Sequence, residues 1–571
     1  LGKPVTDPQL SSVQPPIVIR LEQTEEYQPM RNSGGTPFQA ETLQRFSRAA
    51  GRRQDWDQLL DDAYAFALPN HAARRGGLAG QRRDREIFDN TAVQALHWRK
   101  ARLHGQLFPP FKSWMDFEAP ESLMYDAEAR QAFDLHAAEV REKFHGAIEA
   151  SNFHIEIDPA LGDALISTGA LMVHAGSLNR PLRFEAVPAR ELTPEEGRDG
   201  MLATIFRQMT LPVRRIHTRW PDAKLPVELA RLAEKQPDTE IQVVEAILAD
   251  DPGEPATYEV WCVAQPGAPG ENMLLQRHFA VSPVIAFRTD KAPGEWMGRG
   301  PVLNALADIR TANKVVELIL KNASIAVTGI WQAEDDGVLN PANIQLVPGA
   351  IIPKAVGSQG LTPLDAPGRF DVSQIVLENL QRGIREAIMG PGLPPAHTGQ
   401  RTAFEIDVRQ QEFEAVELPM SLRLLTELDF PLANRVLSIL SSPAMVGSPY
   451  YVPPFEVDGE RIRPRPTSPL VRLQEIADAT AAQAAYMQAA TAFPDLLEQV
   501  IDRTGYLRDF LKRNGFPSEF LTQRETPDLA AVAAALAPLG LAADDMQAAP
   551  GTAETPAATA SLLETAATAV S

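Results

Sequence analysis

The chain has 571 residues, with 54 Lys and Arg against 74 Asp and Glu, a formal net charge of −20. That length exceeds a single compact core and suits several packed regions. The acidic balance argues against a protein that grips nucleic acid by its phosphates, which needs clustered Lys and Arg, but it is compatible with one that lets DNA pass without holding it.

Residues 1–39 are rich in Pro, Gly, Gln and Ser and read as an extended arm. The opening Leu1-Gly2-Lys3-Pro4 lacks a basic stretch ahead of an apolar run, so no signal peptide is expected. No apolar run reaches the ~20 residues that cross a bilayer, and the expectation is a soluble protein, or a part of something assembled inside a cell. Helical periodicity begins near Ala40, with Leu43, Phe46, Leu59, Leu60, Tyr64 and Leu68 on a buried stripe, and Pro69-Asn70 is a stop. A basic, Gly-containing loop over 74–85 reads as a solvated loop neutralised by its neighbours, the alternative being a patch that touches nucleic acid or an acidic partner.

The spacing predicts a helix over 85–107, ended by Phe108-Pro109-Pro110 because proline cannot continue it, and an amphipathic helix over 128–151. Phe153-His154-Ile155-Glu156-Ile157-Asp158 alternates like a strand. Short strand patterns recur at 170–173, 183–187, 203–209, 242–248, 258–264 and 284–288, interrupted by a helix over 226–235, which predicts an α+β region. After Pro301, well placed in a first helical turn, a helix runs to 326. Turn-rich strand patterns follow over 329–367, then a helix over 371–389.

Residues 390–401 (Gly390, Pro391, Gly392, Leu393, Pro394, Pro395, Ala396, His397, Thr398, Gly399, Gln400, Arg401) cannot be helix or regular strand. Thr402-Ala403-Phe404-Glu405 then has capping-box spacing, opening a helical pattern to Leu440 that would extend about 55–60 Å, with bends expected at Pro419 and Pro431. Residues 443–466 are proline-rich and strand-like, 470–521 helical, and the tail from 526 is Ala/Thr-rich without Lys or Arg.

No catalytic signature is present. The phosphate-cradling Gly-x-x-x-x-Gly-Lys-Ser/Thr, the Gly-x-Ser-x-Gly elbow and His-Glu-x-x-His are all missing. The single cysteine, Cys262, rules out an intrachain disulfide and a cysteine-based zinc cluster. Ser167-Thr168-Gly169 reads as a turn rather than a nucleophile. Glu334-Asp335-Asp336-Gly337 reads as a surface turn, since a calcium loop spreads its ligands over about twelve residues. The histidines at 97, 104, 136, 145 and 154 show no pairing in sequence. No metal, cofactor or enzymatic activity is expected. The rival reading is an enzyme whose site is dispersed along the chain.

Three stretches carry a resemblance to the head-to-tail connecting (portal) proteins of podoviruses, over roughly 56–524. They are 91–114 with Phe108-Pro109-Pro110 and Trp114; Gly294-Glu295-Trp296-Met297-Gly298-Arg299-Gly300-Pro301, where the family usually has an aromatic residue at the place of Met297; and Thr402-Ala403-Phe404-Glu405-Ile406. The arm and the tail match nothing in it. The resemblance implies a mainly helical α+β subunit in a ring, typically of twelve copies, at one capsid vertex of the virion, assembled in the host cytoplasm. Such a ring passes double-stranded DNA, docks terminase, receives tail or adaptor proteins, and meets major capsid and scaffolding proteins, with no membrane partner.

On that pattern residues 40–300 form the wing, 301–326 and 371–389 the stem, and 327–370 a small α/β clip. Residues 390–401 form the channel loop, 402–442 the long kinked helix, 443–469 wing return strands, 470–525 a helical crown and 526–571 an acidic tail. Gly390, Gly392, Pro394, Pro395, His397, Gly399, Gln400 and Arg401 are then DNA-facing, and Trp331, Glu334, Asp335, Asp336 and Lys354 lie in the clip for docking terminase or tail proteins. Another phage structural adaptor, from tail or scaffold, is the alternative within this class.

Overall fold

The computed structural model describes residues 37–69, 87–118, 127–251, 255–263, 273–328, 331–333, 361–363, 370–390, 417–453, 456–457, 460–461 and 463–468, with short pieces between 482 and 510. Two compact units are present, Leu1–Val471 and Arg472–Ser571. In the second, the rings of Tyr486 and Tyr506 stack 5.1 Å apart. The arm up to residue 36, the basic loop 74–85, the channel loop beyond Gly390, residues 402–416, most of the crown and the tail lie outside the described residues.

The first unit begins with helices α1 (Pro37–Ala67), α2 (Thr91–Leu107), α3 (Ala127–Glu149) and α4 (Phe153–Ile166). On α2, Ala92, Ala95, Leu96, Leu103 and Leu107 are buried, the spacing of one face of a helix. It starts later than its periodicity suggests, because the amides of Phe88 and Asp89 are taken by Asn313 Oδ1 at 2.7 and 3.1 Å instead of by a helical turn. Past its end, Phe108 meets Trp114 edge to face at 4.8 Å and Phe153 at 5.0 Å, an aromatic knot at the heart of the main core.

The strand expected at Phe153–Asp158 is instead the start of α4. Phe153 and Ile157 are buried and continue at Leu161 and Leu165, whereas Ile155 is 73% exposed. Six residues of alternation fit both periods, and only the longer run to Ile166 separates them. The helix tolerates Pro159 in its interior at the loss of one backbone hydrogen bond.

Two antiparallel sheets follow. Strands β2 (Thr168–Ser177), β3 (Arg180–Ala186) and β9 (Val284–Arg288) form one, in the order β3-β2-β9. The other is a meander of β4 (Leu192–Glu196), β5 (Leu202–Pro212), β6 (Glu240–Leu248), β7 (Ala256–Cys262) and β8 (Met273–Phe279). Helices α5 (Arg215–Arg219) and α6 (Val227–Lys235) lie between β5 and β6. The six predicted strands are all present, with ends that differ by up to four residues, and only 284–288 is met residue for residue; β4 and β8 had no counterpart in the reading.

Strand β2 is buried on both faces, because alternate residues enter different cores. Leu171 and Val173 join the helical core with α4, while Ala170 and Met172 join a second core against the meander. The opposite face of the meander, through Phe206, Val244 and Trp261, is covered by Phe46 and Ala49 of α1. The fold class is α+β, as expected.

After α7 (Pro301–Asn304) and α8 (Leu306–Thr328), β10 (Trp331–Ala333) pairs antiparallel with β11 (Leu361–Pro363), and α9 (Phe370–Met389) returns. Helical turns over 417–424 run into a π-turn, Leu425–Asp429, and then α10 (Phe430–Leu440). Pro431, where a bend was expected, sits in the first turn of α10 directly after this π-turn. With no N–H of its own it cannot bond back to the preceding turn, and widening that turn accommodates it. Farther on, the strand Arg463–Pro466 of the proline-rich stretch pairs with β1 (Met115–Glu118), beside α3.

Candidate functional site

Helices α8 and α9 pack together and show the same gradient. At their inner ends Leu306, Ile309, Ala312, Ile384 and Ile388 are buried, whereas Leu318 and Leu320 on α8 and Ile375 and Val376 on α9 are between 46% and 61% exposed. The apolar pattern of both helices therefore continues past the point where the described residues cover it.

Their inner ends are tied to α2 by polar groups. Asn313 holds the residues before α2, Thr91 donates to Asp89 Oδ1 at 2.9 Å, and Gln381 of α9 donates to the same oxygen at 2.9 Å. Farther along α2, buried Arg99 donates to the last carbonyl of α9, Met389 O, at 3.2 Å and pairs with the buried carboxylate of Glu417. Gly390 follows with φ of +79°, the left-handed conformation that ends a helix and suits glycine. One guanidinium thus fixes both flanks of the interval 391–416.

The Gly294–Pro301 stretch joins β9 to α7 by close backbone packing. A Cβ on Gly300 would sit 2.1 Å from Leu165 O, and one on Gly298 2.2 Å from Ser167 O. Ser167 donates to Gly298 O at 2.9 Å, Gly298 N–H donates to Thr168 Oγ1 at 3.0 Å, and Met297 is fully buried. Ser167 is therefore a buried fastening, in keeping with its reading as a turn residue.

Arg288, at the end of β9, has no exposed side chain. It donates to Glu427 of the π-turn at 2.8 and 3.2 Å, to Glu196 at 2.8 Å, and to Trp296 O and Gly200 O. Two residues after Glu427, Asp429 is fully buried, and among the described residues neither carboxyl oxygen has a hydrogen-bond partner. Burial alone pushes its carboxyl well above the usual carboxylate range.

Of the residues singled out for the channel, only Gly390 is described; Gly392, Pro394, Pro395, His397, Gly399, Gln400 and Arg401 lie outside the described residues. Trp331 is placed in β10, opposite Pro363, while Glu334, Asp335, Asp336 and Lys354 lie outside. Sequence reading missed Arg99, Arg288, Glu427 and Asp429. The available signal was a charged residue at an apolar position, as with Glu427 and Asp429 flanking Leu428. It also missed that His104 Nε2 lies 3.1 Å from His154 Nδ1, where burial, then the second imidazole, lowers the His104 pKa.

Among the described residues no group of three or more His, Cys, Asp or Glu is placed to hold a metal ion, and no helix is long and apolar enough to cross a membrane. Buried ion pairs fasten the helices to the sheets, and among the described residues apolar side chains of α8 and α9 stay exposed. Residues 39–521 match the family described as bacteriophage head to tail connecting protein, and the chain belongs to it. That family is structural, so the chain has a head-to-tail connecting role in a phage particle.

Among curated proteins none matches. Similar solved structures include the neck of an empty GTA particle computed with C6 symmetry, at 14% identity over 73% of this chain and 95% of that one, TM-score 0.29. A second is the virion of a native gene transfer agent (GTA) particle, at 12% identity over 74% of this chain and 94% of that one, TM-score 0.30. A third is the neck of a native GTA particle computed with C12 symmetry, at 12% identity over 76% and 92%, TM-score 0.28. These likenesses are too distant to carry an argument.

Proposed function

We propose that the chain is the portal subunit: a ring of twelve copies at one capsid vertex, through which the genome is packaged and later ejected. Membership of the connector family over residues 39–521 carries the reading. The order of α8, a strand pair, α9, an interval of irregular sequence and the helical run over 417–440 agrees with a stem, clip, channel loop and kinked helix. On this reading 390–401 lines the bore, with His397 and Arg401 able to touch phosphate in passing. The clip, with Trp331, Glu334, Asp335, Asp336 and Lys354, docks terminase during packaging and tail proteins afterwards.

The net charge of −20 has a use here. A bore lined mainly by carboxylates repels DNA phosphates within a Debye length, ~10 Å at moderate salt, which centres the duplex and avoids a grip that would stall it.

A packaging reaction tests the assignment. Replacing 392–399 by a glycine-serine run is expected to reduce DNA packaging or retention, and reversing acidic charges on the channel face to slow packaging. Unchanged rates and retention in both variants contradict the channel roles.

A further inference from the structure

The wing carries a basic groove in an otherwise acidic chain. Arg45, Arg48 and Arg52 share one face of α1, at i, i+3 and i+7, and with Glu195 of β4 they line an open cleft of 540 Å³. Arg45 Nε donates to Glu195 Oε2 at 2.6 Å and Arg52 Nη2 to Glu195 Oε1 at 2.8 Å. Arg48 is exposed and meets no carboxylate among the described residues. An adjoining hollow of 390 Å³ continues the groove past Arg52 and Glu195 to Glu196 and Trp296. Three guanidiniums against one carboxylate in the cleft leave a surplus of positive charge where Glu195 already shows that a carboxylate fits.

Beyond Arg53 the same helix has the opposite sign, with Asp55, Asp57, Asp61 and Asp62, of which Asp57 pairs with Arg53 at 3.0 Å and Asp62, still partly exposed, with Arg310 at 3.2 Å. Arg48 lies about 21 Å along the axis from Asp62, so these ends cannot meet within one copy. A closed ring uses two different surfaces of each subunit, one for each neighbour, and complementary patches far apart on one chain meet that requirement. A DNA backbone fits less well, since Glu195 sits between two of the three arginines and would oppose a phosphate.

We infer that this groove receives acidic side chains of a second copy of the chain, a subunit contact that rests on the ring reading above. The test compares full-length wild type with Arg48→Glu and with Arg48→Glu/Arg52→Glu, using mass photometry and negative-stain images over a series of protein and salt concentrations. Circular dichroism checks that each subunit is folded. Arg48→Glu breaks no contact with a described residue, so it keeps the test open if the double variant misfolds.

The expected result is that wild-type rings loosen as salt rises and that the double variant needs about tenfold more protein to half-assemble, with the single variant in between. Equal assembly midpoints overturn the inference. So does a short DNA duplex that is retarded by the wild type and not by the variants while assembly is unchanged, which assigns the groove to phosphate. A wild type that forms no rings strikes the ring reading itself, and is seen before any variant is compared.

Discussion

Arg99 occupies a core position of α2, between Leu96 and Leu103, yet it reaches both Met389 O and Glu417. Breaking a buried pair leaves an uncompensated charge, so Arg99→Met is expected to cost about 3–5 kcal/mol in denaturant unfolding, because Glu417 stays buried without its partner. Asp429 poses the opposite case. Its folded pKa is raised, so the folded state holds a proton that the unfolded chain releases near the ordinary carboxylate value, about 4.

Stability from that proton is fully present below the unfolded value and is lost as pH rises towards the folded one. Asp429→Asn removes the titration and is expected to stabilise the fold by about 1–3 kcal/mol at pH 8 and by less at pH 4. A pH-independent difference in thermal unfolding would contradict this. Arg99 was not legible as a partner, since pairs such as Arg99–Glu417 and Arg288–Glu427 join positions more than a hundred residues apart. What the sequence did offer was the charge at an apolar position.

At the scale of elements, the Gly294–Pro301 stretch was recognised as a marker before its work was visible. Gly300 N–H donates to Ile166 O at 3.0 Å, and no side chain fits between the two segments. Gly300→Ala is expected to destabilise the subunit by about 3 kcal/mol or more, seen as a lowered denaturation midpoint, through forced displacement of the end of α4. An unchanged midpoint would mean that the two segments can part without cost. Long helices and interior strands were legible because each buries a periodic face.

The misses have physical reasons. β4 contains Pro194, Glu195 and Glu196, and β8 alternates weakly; both are edge strands of the meander, where a missing donor or a charge is tolerated. The error at Phe153–Asp158 came from an apolar Ile155 that is exposed, which lent a helix the alternation of a strand.

For the whole molecule, the α+β class and the connector family were both readable, the first from periodicity and the second from three short stretches in fixed order. The side chains proposed for the channel loop and for docking were readable only as irregular or acidic sequence, and all but Gly390 and Trp331 lie outside the described residues. The uncovered apolar side chains of α8 and α9, the arginine groove on α1 and the net charge all acquire a role if copies close around an axis.

Mass measurement of the purified full-length protein, with images of the same particles, tests this most directly. The account predicts an annular particle of about twelve copies with an opening wide enough for a DNA duplex of roughly 20 Å. A stable single subunit at the same concentrations, or an assembly closed at its centre, contradicts it.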